Sequence, residues 1–71
     1  MGNSIYKVIE LVGTSPNSWE EAASSAVEFA SKSLSDLRIA EVVEMDMQIE
    51  DGTVVAYRTK IKVSFKYKSG D

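Results

Sequence analysis

Between Ile39 and Lys66 apolar and polar residues alternate in two long runs that meet at Asp51-Gly52. Alternation of this kind marks a strand with one buried face. Asp-Gly between two such runs signals a hairpin, because glycine takes the positive φ that the turn needs. The register then depends on the loop. A two-residue loop sets Glu50 opposite Thr53, Met45 against Arg58 and Val43 against Lys60, which mixes apolar and charged partners. A three-residue loop, Asp51-Gly52-Thr53, sets Glu50 against Val54 instead. It aligns Met47 with Tyr57, Met45 with Thr59 and Val43 with Ile61 on one face, and Asp46 with Arg58 and Glu44 with Lys60 on the other. A slip of one residue exchanges the faces of a strand, so the pattern favours the three-residue loop. Alternation fails at Val42-Val43, and a β-bulge there restores it. The bulge turns Ile39 and Glu41 outward and Ala40 and Val42 inward, so Ile39 joins the side that carries Arg58.

Upstream, Ser4 to Val12 is rich in β-branched and aromatic residues and reads as a strand. Gly13 to Asn17 reads as a turn, with Gly13 permitting an unusual φ and Pro16 ending the extended run. Ser18 opens a capping box in which Ser18 caps a helix and Glu21 reaches back to the Ser18 N–H. The helix is expected from Trp19 to about Leu34. At helical spacing Trp19, Ala22, Ala23, Ala26, Val27, Phe29, Ala30 and Leu34 share one broad arc, opposite Ser24, Ser25, Glu28, Ser31 and Lys32. The alanines on that arc let the helix approach a sheet closely. Ser35 to Arg38 is the exit, with Leu37 tucked back under the helix, and Lys68 to Asp71 is expected to fray. The class is α+β: strand, helix, strand, strand, with a three-stranded antiparallel sheet wrapped around one helix.

Composition changes the picture in one respect. The chain has 71 residues, no cysteine and no histidine. One domain over 1–71 of that size has little room for a self-sufficient core, and neither disulfides nor a zinc site can supplement it. Oligomerisation is the remaining source of stability. A net charge of −3 argues against nucleic acid, which wants a basic stripe. The apolar runs are too short to span a membrane, and the N-terminal sequence lacks the basic-then-apolar order of a signal peptide. A cytoplasmic protein is expected.

Candidate chemistry lies on the face that one helix leaves bare. Glu44, Asp46, Gln48 and Glu50 place oxygen ligands at two-residue spacing, the donor type that Ca²⁺ takes. The alternative is cross-strand pairing of Glu44 with Lys60 and Asp46 with Arg58. Arg58 could stack on a ring or grip a phosphate or carboxylate in an outward pocket shared with Ile39, or else pair with Asp46 or Glu44 across subunits. Ile39, Arg58 and Glu44 are therefore the candidate ligand-binding residues, and Glu44 and Asp46 the candidate metal ligands. Trp19 reads as a core or interface residue because it opens the helix on the buried arc. Without histidine, cysteine, G-x-S-x-G or a phosphate-binding loop, no catalytic residues stand out and no enzyme is expected.

Tyr6-Lys7, Gly13-Thr14-Ser15, the capped helix, Ala40-Glu41-Val42, the Asp51-Gly52 hairpin and the aromatic-ended last strand occur in an order and length that resemble the dodecin family. The resemblance covers nearly the whole chain. It implies a hollow homododecamer whose sheet wraps a single helix, with flavin pairs bound at two-fold interfaces. Flavin-binding dodecins carry a stacking tryptophan where Ile39 stands, and a glutamine where Arg58 follows the tyrosine of the last strand. An isoleucine gives apolar contact without a π-face, so the flavin site is degraded here and flavin binding is expected to be weak. The Ser15-Pro16-Asn17-Ser18-Trp19 segment and Asp46-Met47 resemble a smaller group described as binding calcium. The resemblance thus implies a dodecameric small-ligand binding or storage protein. Its alternatives are a calcium-binding assembly and a structural cage without a specific ligand.

Overall fold

The structure is a computed structural model and describes residues 3–66; the tail expected to fray, Lys68 to Asp71, lies outside the described residues. Strand β1 (Tyr6–Ser15) is followed by helix α1 (Trp19–Ser31), strand β2 (Leu37–Glu50) and strand β3 (Thr53–Lys66). The sheet is antiparallel with the order β1-β3-β2, so the last strand is central. Element order and class match the expectation from the sequence.

β1 runs longer than its hydropathy suggests. Gly13, Thr14 and Ser15 stay in the strand, opposite Thr59, Arg58 and Tyr57, rather than forming the expected turn. Gly13 is there for space rather than for φ: a Cβ on it would stand 2.0 Å from the Ala22 carbonyl oxygen. The helix thus lies directly on the backbone of β1.

Ser18 caps α1 as expected, its Oγ accepting from the Glu21 N–H at 3.0 Å. The reciprocal half of the capping box is replaced. Oε1 of Glu21 accepts from Ser15 Oγ and Asn17 Nδ2, each at 2.7 Å, which ties the helix start to the end of β1. α1 ends at Ser31, one turn before Leu34, and the Leu34 N–H closes the end by donating to the Ala30 carbonyl at 2.9 Å.

The hairpin turn corrects the three-residue loop. Asp51 and Gly52 both have positive φ, 50° and 75°, and Glu50 pairs with Thr53 across a two-residue turn. The ladder from Met47–Tyr57 to Glu44–Lys60 is nevertheless the expected one. An irregularity between Gln48 and Ile49 leaves Val55 as an extra residue of β3 and moves the pairing by one. A second shift, with Val43 as the extra residue of β2, moves it back, so that Val42 faces Ile61 and Ala40 faces Val63. That is the bulge the alternation called for, and Ile39 does lie on the face of Arg58.

The core joins Ala22, Ala26 and Ala30 of α1 to Ile61 and Val63 of β3, with Ile9, Leu11, Ala23, Val27 and Leu37 packed around them. Burying Ile61 and Val63 contributes roughly 3–6 kcal/mol, little against the ordering of a whole chain at about 1–2 kcal/mol per residue. Phe29 corrects the expected arc: it is 68% exposed, because the sheet reaches only the alanine side of the helix. Met45, Met47, Val42 and Ile49 of β2 are exposed as well, since α1 sits over β1 and β3 and leaves β2 overhanging. The surface of 5293 Å² exceeds the ~4,400 Å² of a compact monomer of this mass. The radius of gyration, 14.9 Å, likewise exceeds the ~11 Å of a compact chain of this length. Among the described residues no helix is long and apolar enough to cross a membrane.

Candidate functional site

The face of the sheet turned away from α1 is ordered by charge. Central β3 projects Arg58, Lys60, Lys62 and Lys66 onto it; β2 opposes them with Asp46, Glu44 and Glu41; β1 supplies Thr14, Val12, Glu10, Val8 and Tyr6. A basic column therefore runs between an acidic strand and a largely apolar one. Alternation produces the columns, because every second residue of each strand points the same way.

Arg58 and Asp46 form the tightest contact on this face. Nε of Arg58 donates to Asp46 Oδ1 at 2.7 Å and Nη2 donates to Oδ2 at 2.8 Å, a two-pronged pair with both side chains about half exposed. The Arg58 hydrogen bond holds the Asp46 carboxyl below its usual range, and the same bond raises the guanidinium. Lys60 and Glu44 are looser, at 3.6 Å. Together these four side chains and Val12 line a recess of about 100 Å³. That volume holds about three waters and falls well below the ~300 Å³ at which organic-ligand pockets begin. One chain alone offers room for an ion there, not for a ring system.

The sequence-derived site residues are only partly brought together. Glu44, Asp46 and Arg58 share the recess, but Ile39 does not. It pairs with Ser64, six positions from Arg58 along β3 and hence about 20 Å away. The expected pocket shared by Ile39 and Arg58 is thus absent from a single chain. Ile39 is 67% exposed and lies nearer Val8 and Tyr6, across Ser64. As for metal ligation, Asp46 spends both oxygens on Arg58, and among the described residues no group of three acidic side chains converges.

Val12 was not among the sequence-derived residues. Its place in the recess follows from β1 pairing with β3 opposite Lys60, which hydropathy alone does not reveal. Lys62 was missed too. It stands between Glu10 and Glu41 across the three strands, and the Lys60-x-Lys62 spacing was the available signal.

Trp19 approaches the site from the covered face. Its Nε1–H donates to the Asp46 carbonyl at 3.0 Å, and its ring meets Tyr57 edge-on at 5.0 Å. Its own carbonyl accepts from Thr59 Oγ1 at 3.1 Å. The core reading of Trp19 therefore needs a refinement: it is half-buried and bridges the start of α1 to both strands of the hairpin.

The family model described as Dodecin matches residues 5–68. A curated relative, calcium dodecin of Mycobacterium tuberculosis, is 49% identical over 65 residues, which is 92% of each chain. The crystal structure of calcium dodecin from that organism, described as calcium-chelating with a novel calcium-binding site, is 47% identical. It superposes with a TM-score of 0.83 over 96% of this chain and 97% of its own. Dodecin from Streptomyces coelicolor is 38% identical, with a TM-score of 0.91 over 99% of this chain and all of the other.

Proposed function

This chain belongs to the dodecin family, and from that premise we propose that it is a homo-oligomeric binding protein for a small ligand or ion, with calcium as the foremost candidate. The observation that carries the reading is the outward recess, an ion-sized space where the Glu44 and Asp46 carboxylates stand beside Arg58 and Lys60 and where Glu44 is the carboxylate outside the two-pronged pair. Calcium takes six to eight oxygens, and one chain brings too few together. A complete sphere therefore draws carboxylates from neighbouring copies, Glu44 being the one less tightly held. The relative at 49% identity that bears the name calcium dodecin supports the same reading.

Assembly is part of the proposal. The excess surface, the overhanging β2 and the exposed Phe29, Met45 and Met47 are what a chain shows when its partners are copies of itself. A homododecamer is the state the family resemblance implies. Its work is binding and storage rather than catalysis, in keeping with the histidine- and cysteine-free sequence. The acidic balance of the chain speaks against a nucleic-acid partner.

Flavin binding is a weaker second role. It would use Ile39, and because Ile39 and Arg58 stand about 20 Å apart, any flavin touching both spans two copies. Light scattering combined with calorimetric titration of Ca²⁺ tests the whole reading. The expected result is an assembly near twelve chain masses that binds Ca²⁺, with binding weakened by Glu44→Gln. A stable monomer of 7.8 kDa would remove the proposal. A dodecamer inert to Ca²⁺ and to flavin would leave a cage without a specific ligand.

A further inference from the structure

Three contacts of Trp19 converge on one pair of residues it does not itself touch through their side chains. Asp46, whose carbonyl it binds, is one member of the outward ion pair. Tyr57 and Thr59, which meet its ring and its carbonyl, are the two neighbours of Arg58 in β3. The side chains on either side of Arg58 and the backbone carbonyl opposite it are thus all held by one residue at the start of α1. We infer that Trp19 is the positioning residue of the Asp46–Arg58 pair, setting from the covered face of the sheet the strand geometry on which the two-pronged contact depends.

The need for such a tie follows from the ladder. The pair sits in a short block of regular pairing with a bulge at Val43 on one side and at Val55 on the other. Bulges leave a residue unpaired and bend the strand locally, so the block is held less firmly by its neighbours than a continuous ladder would be. Two bonds at 2.7 and 2.8 Å to the two oxygens of one carboxylate tolerate little variation in strand spacing. The outer charged rung of the block is tied on one strand only. Lys60 has the Trp19-bound Thr59 beside it, but among the described residues no hydrogen bond from α1 reaches the Glu44 side of the rung, and the two side chains stand farther apart at 3.6 Å. Trp19 therefore governs how open the outward recess is, and its bearing on ligand binding rests on the function proposed above.

The test reads the pair itself. In ¹⁵N-labelled protein the Arg58 Nε–H should exchange slowly with solvent. Trp19→Phe keeps an aromatic edge for Tyr57 but removes the donor to Asp46, and is expected to speed that exchange about fivefold, the factor set by one lost hydrogen bond. Ala30→Gly destabilises the same helix at its far end and is expected to leave the exchange as it was. Coupling is reciprocal, so Arg58→Gln should shift the emission of Trp19, the only tryptophan, by several nanometres in the folded protein. This second readout serves even where Trp19→Phe fails to fold. Unchanged exchange in Trp19→Phe, equal acceleration in Ala30→Gly, or unmoved emission in Arg58→Gln each overturns the inference. No ligand is added in either experiment, so their outcome is separate from whether Ca²⁺ binds.

Discussion

Gly13 and Ala22 are in backbone contact: the space where a Cβ of residue 13 would lie is already occupied by the Ala22 carbonyl oxygen, 2.0 Å away. Backbone cannot step aside as a flexible side chain can. Gly13→Ala must therefore lift α1 from β1 and disturb the alanine contacts beneath it, at a cost of roughly 3 kcal/mol by comparison with overpacked cores. Thermal melting is expected to show a drop of more than about 10 °C. Ser25→Gly, on the exposed side of the helix, loses mainly helix propensity and should lower the midpoint much less.

The turn gives a second expectation. Gly52 has φ 75°, a conformation that costs a residue with a Cβ roughly 1–2 kcal/mol. Gly52→Ala should destabilise the hairpin by that amount, whereas Asp51→Asn should be neutral or slightly favourable, since asparagine suits the same left-handed position. Equal losses in the two variants by denaturant titration would contradict the two-residue turn.

Acid should act through Asp46. Its carboxyl is held below the usual range by the Arg58 hydrogen bond, so its protonation is disfavoured in the folded chain. A lowered folded value means that the pair's contribution is complete above the unfolded carboxylate pKa of about 3.9 and is lost as pH falls through the depressed folded value. The stability difference between the wild-type chain and Asp46→Asn is therefore expected to stay constant from neutral pH to about pH 5 and to vanish in stronger acid. Melting curves collected from pH 7 to pH 2 measure it. A difference that grows on acidification would have the wrong sign.

Flavin affinity should rise when a π-face is restored. Ile39→Trp adds a stacking surface worth on the order of 1 kcal/mol, about fivefold in affinity for each contact. Quenching of riboflavin fluorescence is expected to be weak in the wild-type chain and clearly stronger in the variant. Arg58→Gln should add to the gain. If the double variant binds no better than the wild type, the pocket differs in shape and not only at these two side chains.

How much of this was legible in the sequence differs from element to element. The Asp46–Arg58 and Glu44–Lys60 rungs were readable because opposite charges and alternating apolar residues agree on one register. The turn was misread for a related reason. Val54, Val55 and Ala56 are all small or apolar, so they carry no parity signal to betray an extra residue in β3. Gly13-Thr14-Ser15 has the composition of a turn, yet its glycine answers the approach of a helix, a tertiary fact that local pattern does not encode. Helical periodicity placed Phe29 on the apolar arc but could not say how far the chain's own sheet would reach around it. The distance between Ile39 and Arg58 needed only a count of residues along a strand. Residues that face the same way on two strands are not thereby neighbours.

The two bulges behave as a pair of opposite dislocations. Val55 advances the pairing by one residue and Val43 returns it, so the block between them carries a register that neither end of the hairpin shares. Neither defect can be removed alone by sliding a strand, because doing so would turn the charged rungs into the helix. Each can be removed by shortening the chain: deleting Val55, or deleting Val43, leaves every existing rung matched. With Arg38, the extra residue of a third shift near the start of β2, these are the positions where this hairpin can lose a residue without exchanging its faces. Length changes elsewhere between Glu44 and Lys60 have no such outlet, so the block with the ion pairs is the part of the hairpin whose length is least free to vary.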